Sequence, residues 1–174
     1  MYLISVYFDE QTDRTIRNYI NKVAEETGNY FMRDNQVPPH ITVAAIETRH
    51  EQQAIKCLNN VVSQIKSDMI HWVTIGSFVP HVIFIQPVLN EYLHNMTTVL
   101  CDELSKISET IVSPYYKPFS WLPHCTIGKQ LTKEQMSVAH EVMQNRFAPF
   151  KGRVVKIGLA KTNPHRDIKI WEFE

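Results

Sequence analysis

The chain has 174 residues, 18 basic and 18 acidic side chains, and 44% hydrophobic residues. That length suits one domain, and the balanced charge excludes a protein that grips a long nucleic-acid duplex by neutralising many phosphates. The five glycines form no GxGxxG or Walker arrangement and the three cysteines (Cys57, Cys101, Cys125) no CxxC pair, so a glycine-rich nucleotide loop, a zinc ribbon and a disulfide framework are excluded.

In chain order, residues 2–8 alternate as a short strand, without the basic stretch of a signal peptide before Asp9 and Glu10. Residues 13–27 place Ile16, Tyr19, Ile20, Val23 and Ala24 at helical spacing, with Gly28 as the stop. A short strand is expected at Tyr30 to Met32 and a buried one at 40–46. A helix over 48–65 is followed by strands at 70–78 and 81–86, and a third helix covers 89–107. Residues 113–123 are irregular, rich in proline and aromatics. An extended segment at 124–128, a helix over 133–146 and strands at 153–161 and 167–173, joined by a turn at Asn163-Pro164, complete the chain. The odd, scattered cysteines suit a reducing cytoplasm, no run reaches the roughly 18 apolar residues of a membrane span, and a monomer without membrane contact is expected.

The two halves repeat. His40-Ile-Thr42-Val-Ala-Ala-Ile-Glu-Thr48 aligns without a gap on His124-Cys-Thr126-Ile-Gly-Lys-Gln-Leu-Thr132, and Val73-Thr-Ile-Gly76 aligns on Val155-Lys-Ile-Gly158. Thr48 with Glu51, and Thr132 with Gln135, have the spacing of capping boxes. The repeat predicts an α+β fold with two ferredoxin-like lobes, near 1–79 and 80–174, whose antiparallel sheets flank a central cleft; strands can be exchanged between them.

Each half carries Pro-His-x-Thr: Pro39-His40-Ile41-Thr42 and Pro123-His124-Cys125-Thr126. In a strand, residues i and i+2 share a face, so each motif presents an imidazole beside a hydroxyl, a pair suited to one phosphate. Two imidazoles with ordinary pKa values near 6.5 can serve as base and acid at neutral pH without a metal or other cofactor. Cys125 falls on the opposite strand face and is expected to be a core thiol. The remaining histidines have no repeated context, and among them His81 alone opens a strand that could border the cleft.

These motifs resemble the two-histidine phosphoesterase superfamily, which includes 2',5' RNA ligase-like proteins and 2',3'-cyclic nucleotide phosphodiesterases. The resemblance spans essentially the whole chain. It implies that His40 and His124 are the catalytic pair and that Thr42 and Thr126 bind phosphoryl oxygens. It further implies a cyclic nucleotide or RNA end as substrate, with reversible 2',5' ligation as a side reaction. Several members carry arginine five residues after the second histidine, where this chain has Lys129, a point charge without the bidentate fork. Tyr115, Tyr116 and Trp121, beside Lys117, are candidates for stacking a base, and Phe78 is a further one. The alternatives are a metal hydrolase, disfavoured by the lack of HxH or HExxH, and a noncatalytic nucleotide or RNA-end binding module on the same scaffold.

Overall fold

A computed structural model describes residues 1–162 and 166–174. The expected turn at Asn163-Pro164, and His165, lie outside the described residues. The chain opens with strand β1 (Tyr2–Phe8), in which Tyr2, Ile4, Val6 and Phe8 are buried and Leu3 and Tyr7 are half-buried. Helix α1 (Glu10–Thr27) starts where the Asp9 carboxylate accepts the Thr12 amide at 2.7 Å, and ends at Gly28, whose φ of 68° is open to a residue without Cβ.

The expected strand at Tyr30 to Met32 is instead a turn of helix, α2 (Phe31–Asp34). The Asn29 side-chain oxygen accepts the Phe31 amide at 3.1 Å, and the Asp34 amide donates to the Tyr30 carbonyl, so local bonds satisfy a backbone with no strand beside it. Strand β2 (Ile41–Glu47) leads to α3 (Glu51–Val62), shorter than the 48–65 expected. The first capping box does not form. The Thr48 hydroxyl takes hydrogen bonds from the His50 amide and the Thr110 hydroxyl, and Glu51 accepts from the Tyr2 hydroxyl, so both side chains are committed elsewhere.

Strands β3 (Asp68–Phe78) and β4 (Val82–Pro87) form a hairpin, followed by α4 (Glu91–Ser105) and the two-residue β5 (Ile111–Val112), too short to leave a periodic signal. A 3-10 turn at Pro114–Tyr116 precedes β6 (Cys125–Gly128). Helix α5 (Lys133–Arg146) has the complete capping box of Thr132 and Gln135, and β7 (Phe150–Lys161) and β8 (Arg166–Glu172) end the fold.

Two separate sheets were expected, but the strands join in one antiparallel sheet ordered β5-β2-β1-β7-β3-β4-β6, with β8 also on β7. The reason is the length of β7. Its residues 150–154 pair with β3, while 154–161 pair with β1 and 156–161 with β8. The helices do not follow the sequence halves: α1 packs on α5 and β6, whereas α4 packs on α3 and β2. Helices α1 and α4 thus each cover a strand from the other half of the chain, and a single core runs from Ile4 and Val6 through Leu58 and Leu100 to Met143 and Ile157. Among the described residues, no helix is long and apolar enough to cross a membrane.

Thr132→Ala removes the one formed capping box and is expected to cost about 1 kcal/mol, read as a lower denaturant midpoint. Thr48→Ala, at a position that caps no helix, should cost less; a loss as large would contradict this assignment.

Candidate functional site

The two motifs occupy equivalent places in the strand ladder. Ser5 of β1 pairs with Thr42 on one side and Gly158 on the other. Phe84 of β4 pairs with Thr126 and Gly76 in the same way. In both cases the next rung skips one residue: Ile4 pairs with Ala44, leaving Val43 unpaired, and Ile83 pairs with Gly128, leaving Ile127 unpaired. Each motif therefore has a bulge directly after its threonine, the device that bends a strand and re-aims the side chains beside it. The first bulge also frees two adjacent carbonyls: Trp121 donates its indole N–H to Thr42 O at 3.1 Å, and Thr97 donates its hydroxyl to Val43 O at 2.7 Å.

The glycines are needed for space. A Cβ on Gly76 would sit 2.6 Å from the Phe84 ring, and one on Gly158 would sit 2.9 Å from the Tyr7 ring. These rings support the histidines. Tyr7 lies 6.4 Å from His40 between ring centroids, and Phe84 lies 5.2 Å from His124.

Both imidazoles are held by the same bond. Nδ1 of His40 donates to Pro38 O and Nδ1 of His124 to Leu122 O, each at 2.8 Å. A carbonyl only accepts, so the proton is on Nδ1, and the neutral ring carries its lone pair on Nε2. The intervening Pro39 or Pro123 fixes φ and holds the preceding residue extended, which aligns that carbonyl with the ring.

Strands β2 and β6 are five places apart in the sheet, yet the Cys125 thiol lies against the backbone amide of His40. The two motif segments are thus close to each other in space, although their strands do not pair. Cys125 itself is buried, as its strand parity predicts, and burial pushes its thiol up to about 12, which leaves it protonated and inert. The loop before the second motif crosses the first, where Trp121 binds Thr42 O and the Tyr116 phenol faces the Thr42 hydroxyl.

The two sides differ in polarity. Thr42 is buried and shares a hydrogen bond of 3.2 Å with Ser5, while burial raises the Tyr7 phenol to about 12 and keeps it a donor. His124 instead packs against Phe84 and Phe78, the latter 4.9 Å away between ring centroids with the planes inclined by 85°. Burial lowers its pKa from the ordinary histidine value, an effect that the Leu122 carbonyl opposes.

Trp121 is only 7% exposed, so it packs and positions the first motif and has no open face for a base. Tyr115 is 78% exposed at the protein surface. Lys129 lies past the end of β6, exposed, with Nζ 6.0 Å from the centroid of the Phe31 ring. His81 does not line the site: its Nδ1 donates to Leu131 O at 2.8 Å, which ties down the β3–β4 hairpin. Ser5, Tyr7 and Phe84 were not singled out from the sequence. Their signal is β1 parity, which puts Ser5 and Tyr7 on the face opposite Ile4 and Val6, and the repeat of Gly76 and Gly158. Among the described residues no group of three or more His, Cys, Asp or Glu side chains is arranged to hold a metal ion.

A fold with one bonded imidazole and one threonine on each of two converging strands is that of the two-histidine phosphoesterases. The 2'-5' RNA ligase superfamily profile matches residues 12–166, and the chain belongs to that superfamily. The Thermus thermophilus protein TT0787 superposes with a TM-score of 0.64 at 14% identity, covering 99% of this chain and 97% of that one. Escherichia coli LigT crystallised with 3'-AMP gives 0.62 at 16% identity, with 99% and 97% covered. The LigT complex with NADP+ gives 0.58 at 15%, with 99% and 96% covered. At these identities the likeness establishes a LigT-like α+β fold. No curated protein sequence matches the chain.

Because burial disfavours the charged ring, His124 should lose its proton below about pH 6.5. The unfolded chain then takes up that proton first, so this group's stabilisation of the fold is present above about pH 6.5 and is lost as pH falls through the folded-state value. Nitrogen-15 NMR of the imidazoles should show protonated Nδ1 in both neutral rings and a midpoint for His124 under 6.5; a higher midpoint, or an Nε2–H tautomer, would contradict this geometry.

Proposed function

We propose that this protein is a metal-independent phosphoesterase that opens 2',3'-cyclic phosphates at RNA ends or on related nucleotides. One observation carries the reading: two histidines, each bonded through Nδ1 to the carbonyl two residues earlier, lie on segments that are close in space where the Cys125 thiol nears the His40 amide. Superfamily membership supports this reaction class, and the structure of LigT complexed with 3'-AMP supports a nucleotide ligand.

In this reading the cyclic phosphate lies between the rings with its nonbridging oxygens on the Thr42 and Thr126 hydroxyls. His124, kept neutral by burial, takes a proton from water through Nε2. The oxygen of that water attacks phosphorus in line, the bond to the ribose 3' oxygen breaks, and His40 delivers a proton to the departing oxygen. The product is a 2'-phosphomonoester, the outcome suggested by the family resemblance. The same displacement with a ribose 5' hydroxyl in place of water joins that oxygen to phosphorus, releases the 3' oxygen and makes a 2',5' linkage as a side reaction, and its reversal returns the cyclic phosphate and the free 5' hydroxyl. The catalytic elements come from two pseudo-symmetric lobes, with α1 and α4 exchanged between them.

His40→Ala and His124→Ala should each lower turnover at least about a hundredfold, with the double variant losing far less than the product, because both act in one proton-transfer cycle. Near-normal turnover in a folded single variant, or activity that requires added divalent metal and disappears with chelator, would overturn the mechanism. At Thr42 and Thr126, serine should preserve more activity than valine, since the hydroxyl is the contact; equal activities in a cyclic-phosphate assay would remove the threonines from phosphate binding. Phosphorus NMR of the product should show one regioisomer, the 2'-phosphate, whereas comparable amounts of the 2' and 3' products would mean that the leaving oxygen is not fixed.

A further inference from the structure

The strand register sets one further side chain beside each motif histidine. Ile85 of β4 pairs with Cys125, and Val6 of β1 pairs with Ile41. One residue further along these antiparallel ladders, Gln86 falls opposite His124 and Tyr7 opposite His40. Alternation along β4 turns Ile83 and Ile85 into the core and leaves Phe84 and Gln86 on the face that carries His124 and Thr126. Residues opposed in this way have Cβ atoms about 4.5–5.5 Å apart, so the Gln86 carboxamide is within reach of a molecule bound to His124 Nε2.

Gln86 is half-buried, and its carboxamide makes no hydrogen bond among the described residues. Its neighbour on the other side, Thr74, donates its hydroxyl to Ile75 O at 3.2 Å. Pro87 follows and holds the Gln86 backbone extended. A half-buried amide without a partner costs free energy unless water or a ligand takes up its bonds. The other neighbours of His124 cannot serve as acceptors for such a molecule: Phe78 and Phe84 present carbon rings, and Leu122 O already takes Nδ1. The His40 side has no matching amide. There the Tyr7 ring is drawn over Gly158, where a Cβ would meet it at 2.9 Å, and its phenol feels the charge of Asp167.

We infer that Gln86 positions the attacking water. The inference rests on the proposed hydrolysis and on its assignment of His124 as base. The water donates one hydrogen to His124 Nε2 and the other to Gln86 Oε1, which leaves a lone pair directed at phosphorus. His124 takes the first proton as the new oxygen–phosphorus bond forms, the bond to the ribose 3' oxygen breaks, and His40 protonates that oxygen. The hydrogen held by Gln86 stays on the attacking oxygen and becomes the P–O–H of the product. An amide suits this task because it accepts a hydrogen bond without taking the proton.

The test replaces part of the water with methanol, which has a proton for His124 but a methyl group where Gln86 would hold the second hydrogen. Attack by methanol on adenosine 2',3'-cyclic phosphate gives the 2'-methyl phosphodiester and attack by water the 2'-phosphate, which chromatography separates. Gln86→Leu and Gln86→Met, the second matched in length, should lower hydrolysis about five- to tenfold, the scale of one lost hydrogen bond. KM should change by less than about twofold, because the amide holds water and not substrate. Methanolysis should also fall by less than about twofold, so the ratio of methyl ester to monoester rises about threefold or more. Gln86→Glu, which keeps an acceptor oxygen at the same reach, should retain the wild-type product ratio at whatever rate it turns over. An unchanged ratio in both apolar variants would overturn the assignment, since a packing role would slow both nucleophiles equally. Undiminished hydrolysis would overturn it while leaving the two-histidine mechanism in place, whereas a wild-type protein that opens no cyclic phosphate would overturn the mechanism and the role of Gln86 with it.

Discussion

A carbonyl oxygen accepts a hydrogen bond and cannot donate one, and the candidate site depends on this. The bonds from Pro38 O to His40 Nδ1 and from Leu122 O to His124 Nδ1 fix ring orientation and tautomer together. A side-chain acceptor could do the same but would add a charge or another rotatable group; a backbone carbonyl pinned by the following proline adds neither. The remainder of the architecture brings the two units together. Bulges at Val43 and Ile127 bend the motif strands, and β7 is long enough to bind both parts of the sheet. The result puts the Cys125 thiol near the His40 backbone amide.

The two imidazole and hydroxyl pairs were legible because they are carried by residue type at fixed spacing. Pro-His-x-Thr, read twice at equivalent positions, specifies an extended segment, a shared face and two functional groups whatever surrounds it. The long helices and most strands were legible for a similar reason, since their apolar periodicity is local and α5 even carries both halves of its cap. Other features required partners from elsewhere in the chain. Thr48 and Glu51 have the same spacing as Thr132 and Gln135, but Thr110, Tyr2 and Arg166 claim them first. Tyr30 to Met32 has the composition of a strand and no neighbour to pair with, so Asn29 turns it into a helix. The join between sheets and the exchange of α1 and α4 are equally invisible, because periodicity shows which face of an element is apolar without saying what covers it.

The residues around the imidazoles were the hardest to read from sequence. Ser5, Tyr7 and Phe84 belong to strands whose alternation identifies their face, but their pairing with Thr42, Thr126 and the two glycines depends on register, and a one-residue slip would turn every one of them away. The glycine repeat at 76 and 158 was visible, and its meaning was not. Only the pairing shows that each glycine makes room for a ring that supports a histidine.

The pairing also locates where the two halves diverge. Their rows read Gly158, Ser5, Thr42 and Gly76, Phe84, Thr126, and the central position alone differs in kind. Serine joins Thr42 in a hydroxyl pair and leaves the ring space to Tyr7, whose phenol adds a polar group on the His40 side. Phenylalanine fills that space itself and forms, with Phe78, a pair of apolar rings beside His124. Identical surroundings would give two imidazoles the same proton affinity, whereas coupled acid-base catalysis works best when one is neutral and the other charged. The bonded carbonyls are common to both rings, whereas burial lowers the pKa of His124, and the phenylalanine that stands where the first half has serine contributes to that burial.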